Sequence, residues 1–412
     1  MSVVVLRGDR TLVEKGYGVA DRERGTRATP RTVYQIGSIT KQFTAAAVMR
    51  LVEQGKLSLD DPLTRFLPAY PTGGRTILVR HLLQQTSGIA DYILLPGYDE
   101  LETSDLTRPH ADLVRLFSAQ PFRFVPGERW SYSNSNYSLL ASIIEKLSGE
   151  PYARHLERAF FRPLGLRDTR YCDHEAGGDR AKGYLLREGS LVPAPRWNLN
   201  WGLGDGALCS TAVDVARWNR ALVTGRAVSA ASYRRMVEPD PLTGGQRPEY
   251  GFALSVVDLD GRPRVGHGGA TWGFTAALTY YPGEDLTIAV LTNRGGLGFV
   301  PVEKPIARAI LGLAEPAVKR LSLSTPERRG YAGTYDTYAF KIKIVEEGER
   351  LRIRVDGLGP PSSPLLFQGD DVFVAETDPD TVRLAFTRRG PVVDGVSLEF
   401  AGMRWNATRV EE

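Results

Sequence analysis

The sequence predicts a mixed α/β (α+β) fold in two parts: an antiparallel sheet flanked by helices and split by a long helical insert, then a small all-β barrel. Three observations carry this expectation. Alternating, turn-bounded apolar runs lie at both ends of the first 315 residues, with helical periodicity between them. One helix in that region, from about Ser38 to Glu53, is apolar on nearly every side, as a central buried helix must be. From Gly330 onward only short alternating runs remain. The expected division is therefore residues 1–315, a linker over 316–329, and a barrel over 330–412.

Taken in order, Val3 to Arg7, a Gly8-Asp9 turn and Thr11 to Tyr17 read as a β-hairpin. The stretch Gln35-Ile36-Gly37-Ser38-Ile39-Thr40-Lys41 then opens the buried helix, in which Phe43, Ala45, Ala46, Ala47, Val48, Met49, Leu51 and Val52 leave no face for water. Gly55 suits its left-handed cap. From there to about Pro239 the pattern is helix and loop, with helices over Val79–Gln84, Ala111–Ala119, Ser138–Leu147, Tyr152–Phe161 and Thr211–Val223. Ile89 to His110 reads as a surface loop overhanging a cleft. Strands return at Phe252–Val257, Arg264–His267, Phe274–Tyr281 and Leu286–Thr292, followed by a helix over Val302–Leu313. The simplest arrangement joins the opening hairpin to this meander in one antiparallel sheet. After the periodicity fades at Glu315–Arg329, eight short strands read as an up-and-down barrel or half-barrel.

Composition narrows the function. A net charge of +4 and a pI near 8.9 come from scattered arginines with no basic run, so nucleic acid is not implied. No apolar stretch reaches membrane-spanning length. The chain opens directly in a strand with no signal peptide, which reads as cytoplasmic, or as periplasmic or secreted if the amino terminus is truncated. Cys172 and Cys209 fit no metal-ligand spacing and are expected to be buried thiols rather than a bridge.

Three constellations carry chemistry. Ser38 stands at a helix start, where free N–H groups and the dipole favour an oxyanion, and Lys41 lies one turn on, where burial would free its amine to act as a base. Ser-x-x-Lys alone is short and common, and by itself reads as a capping serine beside a solvated lysine. The second constellation, Pro126-Gly127-Glu128-Arg129-Trp130-Ser131-Tyr132-Ser133-Asn134, offers a phenol as base or shuttle, provided nearby lysine cations lower its pKa. Its amide would bond a substrate carbonyl. The third, Gly266-His267-Gly268-Gly269-Ala270, lies on a strand that glycines open to another backbone or a ligand.

In that order, Ser38-x-x-Lys41, Tyr132-x-Asn134 and His267-Gly268-Gly269 resemble the three motifs of the serine β-lactamase and penicillin-binding-protein superfamily. The Tyr-x-Asn form is similar to the class C branch, with its D,D-peptidases, D-aminopeptidases and esterases. His81-Leu82-Leu83, Thr86-Ser87-Gly88-Ile89 and Gly206-Ala207-Leu208-Cys209-Ser210-Thr211 support the match, which runs from about Val3 to Leu313. The tail is similar to appended lipocalin-like domains. The resemblance implies Ser38 as acylated nucleophile, with Lys41 and Tyr132 sharing its proton. It implies Asn134 on the acyl group, His267 beside Tyr132, and the N–H groups of Ser38 and Ala270 as oxyanion hole, with no cofactor. The expected substrates are small esters, amides or peptides, including those with a D-residue. The alternatives are a D,D-peptidase, a weak class C-like β-lactamase, or an inactive scaffold. A homo-oligomer stays open. Where the family often carries Lys-Thr-Gly, this chain has His267 and Gly268, and Arg294 is the remaining candidate for a substrate carboxylate.

Overall fold

The computed structural model describes residues 1–173, 180–187, 189–295, 302–355, 363–400 and 403–410. They form two compact units, Met1–Gly295 and Gly296–Glu412.

The first unit is built on a six-stranded antiparallel sheet. In spatial order its strands are Ser255–Leu259, Arg262–Thr271, Phe274–Tyr281, Leu286–Thr292, Ser2–Arg7 and Arg10–Gly16. The opening hairpin thus joins the late meander as expected, through the register Ser2↔Leu291 to Arg7↔Leu286. Leu286–Thr292 is apolar almost throughout because both its faces are covered. The helix Ala212–Val223 packs on this part of the sheet, with Thr287 Oγ1 donating to Asn219 Oδ1 at 2.7 Å. Thr211 caps that helix by accepting from the Asp214 N–H.

The helix Thr40–Glu53, which follows the turn carrying Ser38, runs through the core, and Phe43 stacks on Trp218 at 3.8 Å between ring centroids. Most of its polar groups are satisfied internally, the buried Gln42 Nε2 being left without a partner among the described residues. Thr40 Oγ1 accepts from Leu208 N–H, Gln42 Oε1 accepts from Trp218 Nε1–H, and Thr44 Oγ1 donates to the Gly204 carbonyl. Hydroxyls and amides are tolerated in so apolar a place chiefly when they find partners.

The insert departs from expectation in three ways. Four short strands, Arg170–Tyr171, Tyr184–Arg187, Ser190–Pro193 and Leu208–Ser210, lie inside the region read as helix and loop; at two to four residues they carry no readable alternation. Ile89 to His110 is not a surface loop, for it contains the helix Tyr98–Ser104 and buries Asp91, Tyr92, Tyr98 and Glu102. Aromatic packing draws it inward, Tyr92 on Tyr98 at 5.1 Å and Tyr98 on Trp201 at 5.9 Å. Finally, Cys172 and Cys209 are bonded as a disulfide, not free thiols. Arg170 pairs with Cys209 in register, and Cys172 N–H donates to the Ala207 carbonyl, which brings the two Cα atoms to 5.1 Å. Residues 37 apart become neighbours through that strand pairing, which spacing alone does not reveal.

The second unit contains a closed eight-stranded barrel, Gly333–Asp336 through Met403–Val410, sealed by pairing of the first strand with the last at Thr334↔Val410. Tyr331, Phe373 and Phe386 fill one end, edge to face. The division into units falls before the linker read from sequence. The helix Glu303–Leu311 belongs with the barrel, where Lys304 Nζ bonds Glu399 and the Asp380 carbonyl and Arg308 pairs with Asp380. The expected linker itself holds a helix, Thr325–Tyr331, begun by a Ser324/Glu327 capping box with Pro326 in its first turn.

Candidate active site

The Ser38 region is assembled by close backbone approach. Gly37 has φ +50°, and a Cβ there would lie 2.6 Å from the Ala270 nitrogen. A Cβ on Gly269 would lie 2.0 Å from the Ile36 oxygen and 3.2 Å from the Ser38 nitrogen. Only glycine at both positions lets the turn Gly37–Ile39 lie against the strand Arg262–Thr271, bringing the N–H groups of Ser38 and Ala270 together. That strand is paired on its outer side only as far as Gly266↔Ser255. From His267 to Thr271 it forms an edge.

Lys41 is fully buried, and its Nζ has three neighbours: Asn134 Oδ1 at 2.6 Å, the Asp205 carbonyl at 2.9 Å and Ser38 Oγ at 3.0 Å. The first two can only accept. A neutral amine has two hydrogens and one lone pair, so two N–H bonds are fixed and the lone pair faces the Ser38 hydroxyl. Burial lowers the Lys41 pKa to about 8, against the opposing pull of Asp205 and Asp91.

Asn134 begins the helix Asn134–Ser148. Its Nδ2 donates to Asp91 at 3.0 and 3.2 Å, and its backbone N–H donates to the same carboxylate at 3.0 Å. An amide turned the other way would face the carboxylate with oxygen. Its side chain is therefore engaged with Lys41 and Asp91, and braces the amine. The Tyr132 hydroxyl is hydrogen-bonded to Ser38, and Lys41 Nζ lies 5.0 Å from the centre of its ring. Gln85 holds this segment, its carbonyl accepting Ser131 N–H and its Oε1 accepting Ser133 N–H. Burial raises the Tyr132 pKa well above its usual value. The condition under which lysine would make it a ready base is not met.

His267 is buried 6.0 Å from Tyr132 between ring centroids, beside it as expected. Its Nδ1–H donates to the Gly268 carbonyl at 2.5 Å, and its Nε2 accepts from the Tyr250 hydroxyl at 2.9 Å. Burial, with Lys41 nearby, pushes its pKa down to about 3, so the ring is neutral. The Arg294 side chain is exposed just past Thr292, and Thr275 lies between Thr292 and Ala270 in the sheet. Among the described residues no group of three or more His, Cys, Asp or Glu is placed to hold a metal ion.

Sequence reasoning missed Asp91, Tyr92, Asp205 and Tyr250. Asp205 did leave a trace, as a lone acid between Gly204 and Gly206 in the apolar run Leu203 to Leu208, and Asp91 follows the Thr86-Ser87-Gly88-Ile89 stretch.

The family model described as Beta-lactamase matches residues 1–312. The chain belongs to the beta-lactamase family. It carries the fold of that family. It is 33% identical over 258 residues to the putative penicillin-binding protein PbpX of Bacillus subtilis (strain 168), covering 62% of each chain. It is 28% identical over 337 residues to a D-aminopeptidase of Gluconobacter oxydans (strain 621H), covering 81% of this chain and 62% of the relative. The chain thus spans under two thirds of the length of these two relatives. Among solved structures, the octameric penicillin-binding protein homologue from Pyrococcus abyssi is 26% identical with a TM-score of 0.66, covering 98% of this chain and 95% of that one. No helix among the described residues is long and apolar enough to cross a membrane.

Proposed function

We propose that this member of the beta-lactamase family hydrolyses small esters and amides, including those with a D-residue on the acyl side, through an acyl-enzyme on Ser38. The observation that carries the reading is the Lys41 amine, whose two fixed acceptors leave its lone pair to the Ser38 hydroxyl. Ser38 Oγ gives its proton to Lys41 as it bonds the substrate carbonyl carbon. The oxyanion so formed lies between the N–H groups of Ser38 and Ala270. The leaving alcohol or amine takes the proton back from Lys41 by way of the Tyr132 hydroxyl, and the acyl-enzyme remains. Water then attacks the ester, passing its proton to the same pair, and the acid departs as Ser38 recovers its hydrogen.

The substrate class follows from the third motif. Both ring nitrogens of His267 are engaged, the ring is neutral, and Gly268 has no hydroxyl. A β-lactam carboxylate would lose charge-assisted contacts of roughly 1.5–3 kcal/mol each. An ester or amide without that carboxylate loses nothing. The D-aminopeptidase relative favours a D-residue among the amides, and the octameric homologue favours a homo-oligomer.

A fluorophosphonate probe should add to Ser38, with labelling abolished in Ser38→Ala. A panel of p-nitrophenyl esters, D-Ala-p-nitroanilide and a chromogenic cephalosporin should then give kcat/KM values in favour of the first two. Faster turnover of the cephalosporin would replace this reading with a β-lactamase.

A further inference from the structure

Two consecutive residues, Asp91 and Tyr92, reach both fixed acceptors of Lys41. Asp91 takes three hydrogen bonds from Asn134, whose Oδ1 meets the amine. The Tyr92 hydroxyl donates to Asp205 Oδ2 at 2.5 Å, and the Asp205 carbonyl meets the amine from the other side. The Asp205 backbone has little freedom. A Cβ on Gly204 would lie 2.4 Å from the Tyr137 oxygen, and the Gly204 carbonyl is held by Thr44 Oγ1 at 2.5 Å. Tyr92 is fixed in turn by its N–H to Ser135 Oγ at 3.1 Å and by its ring against Tyr98 and Phe117.

We infer that Asp91-Tyr92 is a positioning pair that aims both acceptors at Lys41, and that the carboxylates of Asp91 and Asp205 hold the proton on its amine until a substrate arrives. This rests on Lys41 acting as the base toward Ser38. The groups facing the amine are Asp91, Asp205, the Tyr132 and Tyr137 rings and neutral His267. Those facing Asp205 are Lys41, Asp91 and the tyrosines Tyr92, Tyr98, Tyr132, Tyr152 and Tyr171, of which only Asp91 adds negative charge. Lys41 is thus the cation shared by two buried carboxyls, whose negative charge favours its protonated form. Burial raises the carboxyls themselves, Asp91 to about 6 and Asp205 to about 7, and the Lys41 cation opposes that rise in both, so the three groups favour one another's charged forms.

The test is the rate of fluorophosphonate addition to Ser38 between pH 5 and 10, which needs no knowledge of the substrate. The wild-type rate should rise with the loss of the Lys41 proton near pH 8. Asp205→Asn and Asp91→Asn keep an oxygen for Tyr92 or Asn134 but remove a charge. Lys41 should then lose its proton more readily, and each rising limb should move to lower pH by roughly one unit. Tyr92→Phe, which withdraws the donor that favours ionised Asp205, should move it the same way and lower the plateau. Limbs that coincide with wild type in all three variants, with only the plateau or Tm lowered, would overturn the inference and leave the Ser38 reading standing. A probe that adds elsewhere in wild type, or a rate flat through pH 8, would overturn both.

Discussion

Gly269→Ala tests how the nucleophile is seated. The new Cβ would stand 2.0 Å from the Ile36 oxygen and 2.9 Å from its carbon, whereas Cβ atoms essentially never approach other atoms within 3.0 Å. The two backbones must therefore part by about 1 Å, with no flexible side chain to absorb the change. Ile36 cannot move alone, because its oxygen accepts Ile39 N–H across the serine turn and its N–H donates to the Leu208 carbonyl. Ser38 is carried along, and its N–H parts from that of Ala270. A misplacement of about 1 Å costs roughly 10²-fold in rate, and loss of one oxyanion donor costs roughly 10²- to 10³-fold. The expected fall in ester kcat/KM is about 10²- to 10³-fold, or about 2.7–4 kcal/mol in the barrier. Folding should lose only about 1–3 kcal/mol, as for other overpacked sites. Gly283→Ala is the control, since nothing lies within 4 Å of the added carbon. The assays are kcat/KM on a p-nitrophenyl ester and thermal melting of both variants. A folded Gly269→Ala protein within threefold of wild type would refute the argument.

Replacing Cys172 and Cys209 together by Ala opens a loop closed across 37 residues, and should cost about 3–5 kcal/mol in denaturant unfolding. His267 should show the Nδ1–H tautomer in ¹⁵N spectra and stay neutral on acidification down to about pH 3, so a ring that titrates near pH 6 would break the Tyr250–His267–Gly268 assignment. Lys41→Ala should cut turnover more than Tyr132→Phe, because burial keeps the phenol protonated; equal losses would restore the phenol as an equal partner in base catalysis. A chain of residues 296–412 should melt cooperatively, while one of residues 330–412, lacking Lys304 and Arg308, should melt lower by roughly 5 °C or more, which calorimetry would show.

Strands were legible where an apolar or alternating run was long enough to be bounded by clear turns: the hairpin Ser2–Gly16, the meander up to Thr292 and most barrel strands could be read directly. The two-residue strand Arg170–Tyr171 offered no such run, and with it went the disulfide it positions. Ser38, Lys41 and Tyr132 were visible only together, because Ser-x-x-Lys is common alone and gains meaning from Tyr132-x-Asn134 and His267-Gly268-Gly269 following in order. Asp91 and Asp205 were not, since an acid in a Gly-containing stretch reads as a turn residue until burial shows otherwise. The same holds for Tyr92 and Tyr98, aromatics in a segment with Pro96, Gly97 and several acids that read as solvent-facing. Asn134 was found, but its bonds to Lys41 and Asp91 were not, because sequence places a residue on an element without fixing the direction of its amide.

On the proposed reading, the edge from His267 to Thr271 would meet a ligand with main chain rather than side chains, and main-chain groups cannot be substituted away. Point mutation therefore has little purchase on that wall of the cleft, and selection for new substrates must work through what stands beside it. Trp272 is the nearest such lever, its indole N–H held by Glu102 at 2.8 Å, with Tyr98 bonded to the same carboxyl. A library confined to Glu102 and Trp272 would vary what stands beside that edge without replacing Ser38, Lys41 or the side chains that hold the amine, which makes this pair a natural starting place for changing substrate choice.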